Sequence, residues 1–405
     1  MSLFNARAAA TLKRPRPAGA AAAARNGKPF LGLIDSNLVN DPVDYEFDGA
    51  VARSHAFAAW TWMVRDLAPD LMDVEVSGDD PAAVQALDAV LPELLTRGRT
   101  ALAEAGGSRE AERRLMVQLG GEDIYARLPL VLQALRSRAL LDKAQSFGRA
   151  LNGLTDDAAL VAALQSMPLQ DHATTALLMQ AAVGQVTNPT RLVAAVLRIA
   201  GAPTESAIEH AGLAPVIDAV LAHAQSQIPV LAQMGPFADV DLICQAIDRF
   251  HRLVRSVNGF VEFARNGRRA MILAALTKSV SERVEPRVRD VGPDVNKALR
   301  RAREGADRFD PDLLLSALNG VYILASVRDA RDSLALNAVF DQTWAQVGEA
   351  LENHIPRNLD VLRQHPDDAA TQRRLDAAIK MAEVRFNADY ADVLRRARDA
   401  AERRT

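Results

Sequence analysis

The chain has 405 residues, 49% hydrophobic and 24% charged, enough for two or three domains or one extended helical array. Aromatics make up only 5% and alanine takes their place, which favours closely packed helices over a sandwich or barrel. One cysteine, Cys244, excludes an intrachain disulfide and a cysteine-based zinc ribbon and fits a reducing cytoplasm, while a net charge of −3 excludes the uniform basic field of a dedicated nucleic-acid binder.

Residues 1–30 carry six basic groups and no acid. Their longest apolar run, Ala20–Ala24, is too short for a secretory signal. The segment is basic and acid-free, as organellar presequences are, but Pro15 and Pro17 break it, and we read it as a flexible arm. Residues 31–47 show no helical period and contain the turn signal Asp41-Pro42, so they read as an irregular or short extended lead-in. A helix is expected from Phe47 to Leu67, with Phe57, Trp60 and Trp62 on different sides of its axis.

From Asp80-Pro81 the start and stop signals are clear. They predict a helix to Gly106-Gly107 that Pro92 kinks or restarts, another from Ser108 to Gly120-Gly121, and a long one from Glu122 to about Asn152. Thr155-Asp156-Asp157 opens the next. Between Ala158 and Ala238 only six of 81 residues are charged, so this trough must hide much of its surface from water. Helices of roughly 10–15 residues are expected there, punctuated by Pro168, Asn188-Pro189, Gly201-Pro203 and Pro215. Leu160–Leu164 (LVAAL) is echoed by Leu192–Val196 (LVAAV), but a further equal step reaches Gln225-Ser226 and finds no third copy, which argues against a solenoid.

Beyond the trough the helices become longer and more amphipathic. Ile243, Ile247, Phe250, Val254 and Val257 form one stripe. Leu375, Ile379, Ala382, Phe386, Tyr390, Val393 and Ala397 form another, predicting one terminal helix of more than six turns from about Asp368. Leu313–Val327 is the most apolar run; it is short for a bilayer span and interrupted by Asn319-Gly320, so it reads as a core helix and no transmembrane segment is expected. Asn258-Gly259 and Asn266-Gly267 could punctuate a hairpin, which a wholly helical chain disfavours.

The expected fold is therefore all-α, an irregular multi-helix bundle or helical-repeat-like array without substantial β-sheet, of roughly 14–18 helices. Four sections are expected: a basic arm over 1–30, an acidic helical region over 31–157, the charge-poor core over 158–238 and a charged long-helix region over 239–405.

Three constellations stand out. Residues 31–80 hold eleven acids against Arg53 and Arg65, and Asp44, Glu46 and Asp48 alternate, so an extended backbone puts all three on one face as candidate oxygen ligands for a hard cation. No EF-hand spacing accompanies them, and a solvated acidic surface is the plainer reading. Cys244, Asp248 and His251 share one helical face and are metal-ligand types, although no second cluster supplies a fourth ligand. Residues 249–303 hold 14 basic groups against five acids, a run that continues through Lys278, Arg283, Lys297, Arg300, Arg301 and Arg303, and Arg265, Arg268, Arg269, Arg287 and Arg289 are its candidate contacts for phosphate oxygens or an acidic partner.

No dinucleotide fingerprint, P-loop, HExxH or GxSxG motif is present, so no catalytic residue and no cofactor is assigned. The functional expectation is a non-enzymatic interaction or scaffold protein that presents charged helical faces to a protein partner or to copies of itself. Two alternatives stay open: binding of an apolar small molecule or lipid in the charge-poor core, or nucleic-acid or anionic-lipid contact through residues 249–303.

Overall fold

A computed structural model describes residues 28–72, 81–167, 171–235, 238–301 and 309–403. Residues 1–27 of the expected basic arm, the acids Asp73, Glu75, Asp79 and Asp80, the breaker Pro168 and Arg303 lie outside the described residues, while Lys28–Gly32, expected as the end of the arm and an irregular lead-in, is helical because Phe30 is drawn into the core. The fold is all-α, with two short parallel strands beside many helices. Contacts divide the chain into two compact units, residues 1–35 with 53–138, and residues 36–52 with 139–405.

In the first unit the chain runs through α1 (Lys28–Gly32), α2 (Arg53–Trp62), a π-helical turn at Met63–Leu67, α3 (Pro81–Gly107), α4 (Arg109–Leu119) and α5 (Glu122–Arg136). Phe30 and Trp60 meet at 5.0 Å between ring centroids, and Leu87, Leu91, Leu94, Leu128 and Leu135 close the core around them. Ser108 caps α4 by accepting from the Ala111 N–H, and Gly120, at φ 100°, ends it in the left-handed conformation open to glycine. Pro92 does not interrupt α3.

Two of the expected helices differ here. The one expected from Phe47 begins at Arg53, because Val51–Ala52 instead pairs in parallel with Leu38–Val39. The one expected from Glu122 to Asn152 breaks at Ser137, where ψ swings to 3° and the next helix starts at once.

The second unit comprises β1 (Leu38–Val39), β2 (Val51–Ala52), α6 (Arg138–Leu151), α7 (Asp157–Gln165), α8 (His172–Gln185), α9 (Pro189–Ala200), α10 (Glu205–His210), α11 (Ala214–Gln225), α12 (Ile228–Leu231), α13 (Val240–Asn258), α14 (Arg268–Leu299), α15 (Pro311–Leu334), α16 (Asn337–Gln364), α17 (Ala369–Arg385) and α18 (Ala388–Glu402). The charge-poor helices pack inward: Leu160, Leu192, Val193, Val196, Val216 and Val220 are buried, and nine residues of α8 in a row from Thr175 are buried. Without charges to solvate, α8 can be enclosed on every side. The α13 stripe is buried as its spacing requires.

α14 packs against α15 and α16, and α16 against α17. α15 is the one helix among the described residues long and apolar enough to cross a bilayer, and Val321, Leu324 and Val327 on it are fully buried in the protein core. The terminal stripe is split. Asn387 caps α18 by accepting from the Tyr390 N–H, and the apolar face is re-phased. Ala391, Leu394 and Ala401 are buried there, while Tyr390 and Val393 face water. The Asn258-Gly259 and Asn266-Gly267 turns do not close a hairpin; Glu262 between them bridges to Thr204 instead.

The segment 36–52 is tied to this unit by polar side chains. Buried Asn37 donates to the carbonyls of Gly49 and Leu177, and Gln225 accepts from the Tyr45 N–H while donating to its carbonyl. Gly49 lies so close to the Ala176 carbonyl that a side chain there would overlap it.

Candidate functional site

The residues singled out by the sequence are scattered and mostly occupied. Asp44, Glu46 and Asp48 are all exposed, on a segment of bends and turns rather than the extended strand that would align them on one face. Asp48 pairs with His172 at 3.2 Å. Cys244, Asp248 and His251 turn to different partners: the thiol to Ser326, the carboxylate to Arg252 at 2.9 Å, and the His251 Nδ1 to the Ser333 hydroxyl at 3.0 Å. Among the described residues no three His, Cys, Asp or Glu side chains are grouped to hold a metal ion, so neither candidate set forms a ligand cage.

The basic run is largely neutralised within the chain. Arg269 bonds Asp218 through Nε and Nη2 at 2.7 and 3.0 Å, and Glu205 and Glu209 through Nη1, each at 2.7 Å. Those carboxylates hold its guanidinium well above the ordinary arginine range despite the cost of burial. Arg287 is held by Asp294 at 2.6 Å and by the Ser316 carbonyl at 2.7 Å, and Arg289 pairs with Glu285 one turn away. Arg268 donates to the Glu46 carbonyl and lies 5.5 Å over the Phe47 ring. The acidic segment 44–48 and the basic helix start therefore meet within one chain. Arg265 is exposed, with no partner among the described residues.

Arg268 and Arg269 border a cleft of about 670 Å³ with Thr204, Glu205, Glu209 and Glu262. Within it Arg269 is neutralised by Glu205 and Glu209, and Glu205 also accepts from the Ala264 N–H at 3.1 Å. The arrangement binds elements of the fold together rather than leaving charge for a ligand.

A second cleft, of about 510 Å³, has the opposite character. It lies between the end of α14 and the middle of α16 and is lined by Asn296, Leu299, Arg300, Arg301, Asn353, His354, Arg357, Asn358 and Val361. Helix periodicity assembles the α16 wall: Asn353, His354, Arg357, Asn358 and Val361 recur at three- and four-residue spacings on one side. Pro356 sits within this wall and supplies no N–H to the Glu352 carbonyl one turn back. Arg300 ends α14 and Arg301 follows it, cations at a helix C-terminus as the macrodipole favours.

Buried Asn358 donates to the carbonyls of Leu299 and His354, at 3.3 and 2.9 Å, which fixes the end of α14 against α16. His354 Nε2 bonds Asn296 Oδ1 at 2.6 Å, pinning the floor. Burial lowers the His354 pKa, and the neighbouring Arg357 and Arg300 charges lower it further. Arg301 pairs with Asp368 at 3.6 Å. Arg300 and Arg357 are exposed and have no carboxylate partner among the described residues. The result is a polar recess with surplus positive charge, suited to bidentate capture of an anion.

Of this site the sequence marked Arg300 and Arg301 as part of the basic run. It did not mark Asn353, His354, Arg357 or Asn358, which lie more than fifty residues downstream with no charge cluster of their own. Comparison with protein-family models, curated proteins and solved structures finds no match to the chain.

Proposed function

We propose that the protein is a non-catalytic helical binding protein that receives an anionic ligand in the recess between α14 and α16. One observation carries the reading: Arg300 and Arg357 face a polar cleft of about 510 Å³ and, among the described residues, lack the carboxylates that occupy Arg269, Arg287 and Arg289. An unpaired guanidinium beside other cations is electrostatically costly, and an anion relieves that repulsion. No group in the cleft combines a nucleophile with a base, so its chemistry is recognition.

Calorimetric titration with inorganic pyrophosphate tests this directly. Binding that weakens with rising salt and is lost in Arg300→Gln/Arg357→Gln, but kept in Arg289→Gln, is the expected result. Equal binding by all three proteins, or none by the native chain at low salt, would overturn it.

A further inference from the structure

We infer that the ligand of the α14–α16 recess is a phosphorylated polyhydroxyl small molecule, a sugar or polyol phosphate, its phosphate held by Arg300 and Arg357 and its hydroxyls by Asn353 and Asn296. The inference rests on the anion-binding reading and adds the chemical class. A carboxylate is satisfied by one guanidinium fork, whereas two guanidinium groups with no carboxylate partner among the described residues, Arg300 and Arg357, match the several oxygens of a phosphate group. The cleft, at about 510 Å³, falls in the roughly 300–1,000 Å³ range of small-ligand sites and exceeds what a bare phosphate fills.

What lines the remaining volume selects the rest of the molecule. Among the described residues no aromatic ring borders the cleft, so a nucleobase has nothing to stack on there, and single-stranded nucleic acid lacks the platform it ordinarily uses. Of the described lining residues only Leu299 and Val361 are aliphatic, too little apolar surface for an acyl chain. Amides remain. Asn353 is exposed with no intramolecular partner among the described residues, and Asn296 uses its Oδ1 on His354 while its amide N–H₂ stays available. Side-chain amides both donate and accept, which is what vicinal hydroxyls require. His354, held in place by Asn296 and flanked by both free arginines, is a built-in reporter of charge entering the site.

The full chain is titrated by calorimetry with ribose 5-phosphate, inorganic phosphate, ribose and a short single-stranded oligonucleotide. The histidine resonances are followed by NMR in parallel. Ribose 5-phosphate is expected to bind roughly tenfold or more tighter than phosphate, the equivalent of one or two net hydrogen bonds. Asn353→Ala should remove that increment while leaving phosphate affinity unchanged, and circular dichroism confirms that this exposed variant is folded. Occupancy should raise the His354 pKa, because the anion offsets the Arg357 and Arg300 charges that face it. Equal affinity for phosphate and ribose 5-phosphate overturns the inference and leaves the anion-binding reading standing. Tighter binding of the oligonucleotide overturns it in favour of a nucleic-acid groove. Absence of binding by every anion overturns both.

Discussion

Arg269 grips Asp218 with two parallel hydrogen bonds, Nε to Oδ1 at 2.7 Å and Nη2 to Oδ2 at 3.0 Å, linking the start of α14 to α11. Glu205 and Glu209 of α10 share the same guanidinium, so one side chain ties three helices. Three of the four acids in the charge-poor stretch converge here. That stretch is thus not merely depleted of charge; most of its remaining carboxylates serve one interior cation.

Arg269→Ala leaves Asp218 and Glu205, both largely buried, without their cation. The expected cost is about 3–5 kcal/mol, read as a lower urea midpoint. Arg289→Ala removes an exposed pair within a single helix and should change stability by less than about 0.5 kcal/mol. Similar losses for the two variants would show that the Arg269 cluster is no interior staple.

Gly148 on α6 faces the backbone of Ala182 on α8 so closely that a methyl group would overlap the carbonyl. Gly148→Ala must push the two helices apart, at about 1–3 kcal/mol. Gly106, near the end of α3, has open space around it, and Gly106→Ala should gain about 0.4–1 kcal/mol by restricting the unfolded chain. Thermal denaturation of both variants distinguishes close approach from a general effect of losing glycine.

His223 donates from Nε2 to the Gln180 carbonyl at 2.8 Å within the packed pair α8 and α11. Burial pushes its pKa from 6.5 down to about 4, with the Arg249 charge acting the same way against the favourable carbonyl. The unfolded chain therefore takes up a proton before the folded one does. The contribution is fully present above pH 6.5 and is lost as pH falls toward 4, amounting to about 3 kcal/mol over that window. His223→Gln should flatten the acid limb of stability against pH. An unchanged limb would place the acid sensitivity elsewhere.

Burial pushes the Cys244 thiol up, outweighing the Ser326 hydroxyl that favours the thiolate. Labelling by an aromatic disulfide reagent at pH 8 should be slower in the native protein than in urea. Equal rates would mean that the packed face around α13 opens freely.

Much of the helical outline was legible because it depends on neighbours along the chain. Ser108, Asp156 and Asn188 each accept from the N–H two or three residues on, a bond whose partners lie within one turn. The α13 stripe was equally plain. The breaks at Ser137 and Phe386 were not, since neither carries glycine or proline and the apolar spacing continues across both. The recess was half legible: Arg300 and Arg301 stood in a basic run, while Arg357 looked like any charge on a long helix.

Sequence alone determined that the chain is helical and that the apolar side chains of its ion-poor fifth lie inside, because helix propensity and the cost of burying charge are properties of each residue and its near neighbours. It could not decide which arginines would be spent. Arg269 and Arg300 are indistinguishable in composition, yet Asp218, Glu205 and Glu209 close on the first, and the second is left facing amides and another cation. That difference arises from which helices meet, a choice made by packing over distances of fifty residues and more, and it separates a structural cation from one free to bind.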